Sequence, residues 1–175
     1  MVYDFSQDLW IDIYLQSGTG ANTRSAHGVA ITTNRSHTDF ADDLRSVKKW
    51  LLNDEQFSSA MYGSNSKTNI EGKKAPSSKH SGGHVDTANR RMISHIGCED
   101  GCGYVWQYLS GIFAMQVQSS STLWSSYKTE MNVLVGGGSW SNDGQSSASL
   151  RGVLSRGSRS EEVEQLIKEN RDETV

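Results

Sequence analysis

Residues 9–15, Leu-Trp-Ile-Asp-Ile-Tyr-Leu, alternate closely enough to predict a strand with Trp10 and its aliphatic neighbours packed inward. A polar loop, Gln16 to Asn22, follows, and Gly28 to Thr33 reads as a second short strand. The clearest helix runs from Asp39 to Leu52. There Phe40, Leu44, Val47 and Leu51 recur at helical spacing and make one apolar stripe. Asp39, Asp42 and Asp43 sit early and Arg45, Lys48 and Lys49 late, which suits the helix dipole. Asn53-Asp54 then caps a second helix, with Phe57, Ala60 and Met61 on one face and Gly63 as its stop.

From Ser64 to Asn89 the pattern is polar and glycine-rich, which predicts a long ordered loop with little regular structure. Tyr104-Val-Trp-Gln-Tyr-Leu109 is an aromatic and apolar run suited to a buried strand. A serine-rich stretch, Ser119 to Ser126, leads to Asn132-Val-Leu-Val-Gly-Gly-Gly-Ser-Trp140. The aliphatics of that segment predict a central strand, and the glycines after it predict an exit from the core onto the surface. Residues 141–159 are polar and hydroxyl-rich and read as surface loop. The tail changes character: Ser158 and Glu161 offer a capping box, and Val163, Leu166 and Ile167 line one face of a short helix.

Composition narrows the picture. A chain of 175 residues suits one domain, able to bury roughly 70% of its unfolded surface. With 17 basic and 20 acidic residues the net charge is −3, which does not point to nucleic acid or an anionic membrane as partner. No window is apolar and long enough to cross a membrane as a helix, and the start lacks the basic end and apolar run of a signal peptide. The 17 glycines and single proline, Pro76, predict short elements joined by many loops. Cys98 and Cys102 are the only cysteines, too few for a disulfide framework. Structural thiols, a local disulfide and metal or redox use stay open for them. His80 and His84 have metal spacing only on a helix, and Gly82-Gly83 argues against one, so they read as polar loop histidines.

Three sets of residues carry a family resemblance. Gly97-Cys-Glu-Asp-Gly-Cys-Gly-Tyr-Val-Trp-Gln-Tyr-Leu109 resembles the G-x-x-D-x-x-G-N-V-W-E-W signature of formylglycine-generating-enzyme-type C-type lectin domains. Val133-Leu-Val-Gly-Gly-Gly-Ser-Trp140 resembles their R-G-G-S-W strand. Trp10 to Ser25, Asp54 to Phe57, Thr68-Asn-Ile70, and Gly82-Gly-His-Val-Asp86 through Arg90 to Ser94 are similar to the scaffold of retroelement-diversified variable proteins of phages and archaeal viruses. The resemblance spans about residues 8–145. Such proteins usually close with a G-x-R-G strand, for which only Arg151-Gly152 or Arg156-Gly-Ser-Arg159 stand in.

The resemblance implies an α+β, C-type lectin fold, with two helices packed on short antiparallel sheets and many loops. It implies a lectin-like domain over residues 1–157, with a variable ligand-binding region at about 133–157, and a helical tail over 158–175. It further implies a non-catalytic protein on a virion or exposed cell surface, recognising a host-cell surface protein or glycan without metal or cofactor. Serine, asparagine, glutamine and tryptophan on a stiff base also make a paratope-like composition. The expected ligand-binding residues are Ser139, Trp140, Ser141, Asn142, Asp143, Gln145, Ser147, Ser149, Arg151, Val153 and Ser155, exposed together on one face, with Trp140 partly scaffold. Two other classes share parts of this pattern. An enzyme of the formylglycine-generating type needs paired late cysteines, and none follows Cys102. A calcium-dependent sugar lectin would use Trp140-Ser-Asn-Asp143, yet no E-P-N or Q-P-D tripeptide accompanies it.

Overall fold

The first apolar alternation folds as a ribbon: β1 (Val2–Asp4) pairs antiparallel with β2 (Leu9–Ile11). This is a computed structural model, and it describes residues 1–70, 79–119, 126–141 and 146–156. The predicted strand over 9–15 therefore stops at Ile11. Its inward face is also the other one, because Trp10 lies opposite Tyr3 and is 63% exposed while Ile11 is buried. The two-residue period leaves no alternative once Ile11 enters the core. The Asp4 carboxylate accepts from Ser6 and from Ser59 Oγ at 2.6 Å, which ties the ribbon to the second helix.

A second ribbon, β3 (Gln16–Ser17) with β4 (Arg24–Ser25), forms within the segment read as loop. The strand expected at Gly28 to Thr33 is reduced to a single bridge, Ala30 to His80, although Ile31 is buried. Helix α1 covers His37–Ser46, starting earlier and ending sooner than the apolar stripe suggests. Ser36 and Asp39 form a reciprocal capping box at its start. At its end Lys48 N–H donates to Arg45 O and Lys49 N–H to Leu44 O, with Lys48 at φ 58°. That pattern of bonds closes the helix, and Leu51 falls outside it. Helix α2 spans Asp54–Ala60, with Asn53 and Gln56 as its capping box and Phe57, Ala60 and Met61 buried as expected.

The main sheet is antiparallel, in the order β5 (Gln107–Ser119), β6 (Ser126–Gly137), β7 (Ser147–Ser155). Tyr104, placed at the start of a strand by the sequence, is fully buried but only bridges to Ser139 before β5 begins. Strand β7 replaces much of the surface loop expected over 141–159: Val153 sits opposite Leu134 and Arg151 opposite Gly136. Helix α2 packs on all three strands. Helix α1 meets the sheet through His37, whose Nε2 lies 2.9 Å from Leu109 O and whose ring stands edge-on to Tyr108. Three apolar clusters make the core: Ile11, Phe57, Met61 and Leu109; Ile31, Ile70, Met92 and Tyr104; and Val133, Val135 and Leu154. The expected α+β architecture, two helices on short antiparallel sheets with many loops, is what the chain forms. The tail over 158–175 lies outside the described residues.

Candidate functional site

Val133 and Val135 are buried on one face of β6 and Leu134 packs on the other, as a run of three aliphatics in a central strand requires. The chain then stays in the body of the protein rather than leaving it. A Cβ at Gly137 would stand 2.1 Å from Gly101 O, so glycine is required there because the 101–103 turn lies against the strand. The Gly103 N–H reaches the carbonyls of Gly137 and Gly138, each at 3.2 Å. Ser139 is consequently 1% exposed and bridges Tyr104, and Trp140 N–H donates to Tyr104 O at 3.0 Å. The continuous exposed run expected from Ser139 onward does not begin at that residue.

Asn69, which the sequence reading left inside a polar loop, is the clip of this region. It is buried, donates from Nδ2 to Trp140 O at 3.0 Å, and accepts at Oδ1 from Ser146 Oγ at 2.5 Å. Lys67 N–H adds a bond to Ser146 O at 2.9 Å. The two ends of the 142–145 connection are thus held by one amide side chain. Asn142, Asp143 and Gln145 themselves lie outside the described residues. Trp140 is half-buried against the cluster of Ile31, Ile70, Met92 and Tyr104. Ser141 is half-buried, and its Oγ lies 3.0 Å from Ser139 Oγ.

On β7 the expected residues separate into different roles. Ser149 and Val153 are exposed, Ser147 is half-buried, and the Ser147 and Ser149 hydroxyls are 3.1 Å apart. Ser155 lies opposite Asn132. Arg151 is an anchor. Its guanidinium pairs with the Asp54 carboxylate, donates to Ser58 Oγ at 2.6 Å, and sits 5.0 Å from the centre of the Phe57 ring. It also donates to Ala148 O at 2.7 Å, so the fork is committed to fixing β7 on α2. Val153 shares its sheet face with Phe113 and Met115, which are exposed as well.

Buried ionic groups brace the loops beneath. Asp100 accepts from Gly82 N–H at 2.6 Å and pairs with His84 Nδ1 at 2.8 Å. His84 lies in a loop as expected but is packed there, paired with Asp100 and set against Tyr104 with ring centroids 4.7 Å apart. Asp86 accepts from Ala88 N–H, Arg90 N–H, Thr68 Oγ1 and the Arg90 guanidinium. Burial pushes its carboxyl up, but the Thr68 and Arg90 bonds outweigh that and hold it at about 2. Cys98 and Cys102 are free, buried thiols, each pushed up to about 11 by burial, which keeps them protonated and unreactive. Among the described residues no group of three His, Cys, Asp or Glu side chains is placed to hold a metal ion.

No protein-family model matches the sequence, and no curated protein does. Solved structures do match. The Major Tropism Determinant M1 variant superposes with a TM-score of 0.65 at 18% identity, covering 86% of this chain and 47% of that one. The I1 variant gives 0.65 at 20% identity over the same shares, and the P3c variant 0.62 at 18% over 86% and 49%. This chain spans about half the length of those proteins. At such identities the likeness establishes architecture: the chain has the C-type lectin fold of the Major Tropism Determinant variants.

Proposed function

We propose that this chain is a non-catalytic binding protein that recognises a host-cell surface protein or glycan, with its contact surface diversified by a retroelement. The observation that carries this reading is the fold match to proteins named tropism determinants over 86% of the chain. The local geometry supports it. Trp140, Ser141, Ser147, Ser149 and Val153 stand at one end of β6 and on β7, on a base held by Asn69 and Arg151. Exposed side chains there such as Ser149 and Val153 can vary because the packing is done by glycines, the Asn69 clip, the inner face of Trp140 and the aliphatics behind them. Ser139 and Arg151 belong to the base of that surface, and Asn142, Asp143, Gln145 and Ser155 join the proposed contact set by their positions in the sequence. The same reading places the protein on a virion or exposed cell surface.

Labelled protein incubated with a panel of bacterial and archaeal cells, read by flow cytometry, tests this. Binding to a restricted set of strains is expected, lost in Ser149→Arg or Val153→Arg variants that melt like the parent. Binding to none, or binding indifferent to both changes, overturns the receptor reading. Cell binding is expected to persist in chelator, and its loss would favour a calcium lectin instead. Diversification has its own test in the flanking DNA, where a near-copy of the coding region around residues 133–157, differing at adenines beside a reverse-transcriptase gene, is expected.

A further inference from the structure

Beside the apolar clusters runs a cleft of about 670 Å³, open to solvent, whose accessible walls include Leu9, Ile13, Phe40, Leu51 and Val105, with the buried Ile11, Phe57 and Leu109 behind them. That volume falls within the range of roughly 300–1,000 Å³ typical of small-molecule sites. Its solvent side carries two exposed indoles, Trp10 and the 73% exposed Trp50. Large aromatic surface left beside an apolar opening marks a place where something docks.

The charges along the same cavity decide what kind of molecule fits. Its carboxylates are already matched: Asp12 is paired with Lys49 at 2.6 Å, and Glu99 with Arg91 at 2.8 Å. Lys48 and Lys79 also line it, and among the described residues neither has an acidic partner. The site therefore combines apolar walls with surplus positive charge. We propose that it binds a free long-chain aliphatic carboxylate, with the chain along the apolar walls of the cleft and the carboxylate at the lysines. This site is separate from the surface at β7 and independent of the receptor reading.

The test uses cis-parinaric acid, a fluorescent eighteen-carbon carboxylate, titrated into the full chain beside its methyl ester. Saturable binding of one molecule per chain is expected for the acid, with emission rising as it leaves water. The double variant Lys48→Gly/Lys79→Met is expected to weaken the acid at least fivefold and the ester less than twofold. Glycine suits the backbone at position 48, so this variant keeps the helix end intact. Thr33→Trp, which places a bulky ring at the cavity wall, is expected to abolish binding of both probes. Absence of saturable binding, equal weakening of acid and ester by the lysine changes, or undiminished binding in Thr33→Trp each overturns the proposal. Failure here leaves cell binding by the β7 surface untouched, so the two readings fail separately.

Discussion

Arg151 shows how a single residue changes meaning between sequence and structure. By composition it joins a polar, displayed run; in space its guanidinium is held by Asp54 and Ser58 over Phe57, and Asp54 is 97 residues away. Arg151→Ala is expected to cost on the order of 2 kcal/mol in urea unfolding, since hydrogen bonds to a charged group are lost. Arg151→Lys should recover little of this, because an ammonium cannot reproduce the fork. Ser149→Ala, two residues earlier and exposed, is expected to stay within about 0.5 kcal/mol. Lys48 gives the opposite sign. It holds a left-handed conformation at the end of α1, so Lys48→Gly is expected to stabilise the protein by on the order of 1 kcal/mol.

At the scale of elements, helix α2 was legible because cap, apolar face and stop all agreed. Helix α1 was legible in type but not in length. Val47 and Leu51 keep the helical period, yet the carbonyls of Leu44 and Arg45 are taken by Lys49 and Lys48, which turns the chain away. Strand β7 was invisible: Ser-Ala-Ser-Leu-Arg-Gly-Val-Leu-Ser is too polar and small to announce a strand, and pairing with β6 makes it one. The glycine run does adopt backbone that other residues resist, with Gly137 and Gly138 at φ 90° and 79°, but it stays packed instead of leaving the core. Gly137→Ala is expected to cost at least ~2 kcal/mol in thermal unfolding, because its Cβ meets a backbone oxygen that cannot move aside. Gly20→Ala, also at positive φ but with open space around it, should cost only about 1 kcal/mol.

Across the whole molecule the loops are pinned by buried charges rather than by long sheets. Asp86 joins the 67–70 segment to the 86–92 segment, and Asp100 joins 82–84 to the 97–103 turn. The folded-state carboxyl of Asp86 is held at about 2, below its unfolded value. Its stabilisation is therefore complete above about pH 4 and is lost as pH falls towards 2. Urea unfolding as a function of pH is expected to show that decline, and Asp86→Asn is expected to lower stability at neutral pH while flattening the curve in the acid window. A variant curve as steep as the parent's would remove Asp86 from this role.

The sequence by itself determined the existence of both helices, the burial of Val133 and Val135 and the exposure of Ser149, while the fold class was carried by the family resemblance. The helices and the strand follow from local periodicity and caps, and the exposure of Ser149 from the high cost of burying an unpaired polar group. Tertiary structure alone decided which face Trp10 presents, where α1 ends, that 147–155 is a strand, and that Ser139 and Arg151 support the surface instead of forming it. The reason is physical. A serine or arginine is polar in any context, and whether it meets solvent or a buried partner depends on residues such as Asn69, Asp54 and Tyr104, which reach it only when distant segments pack together.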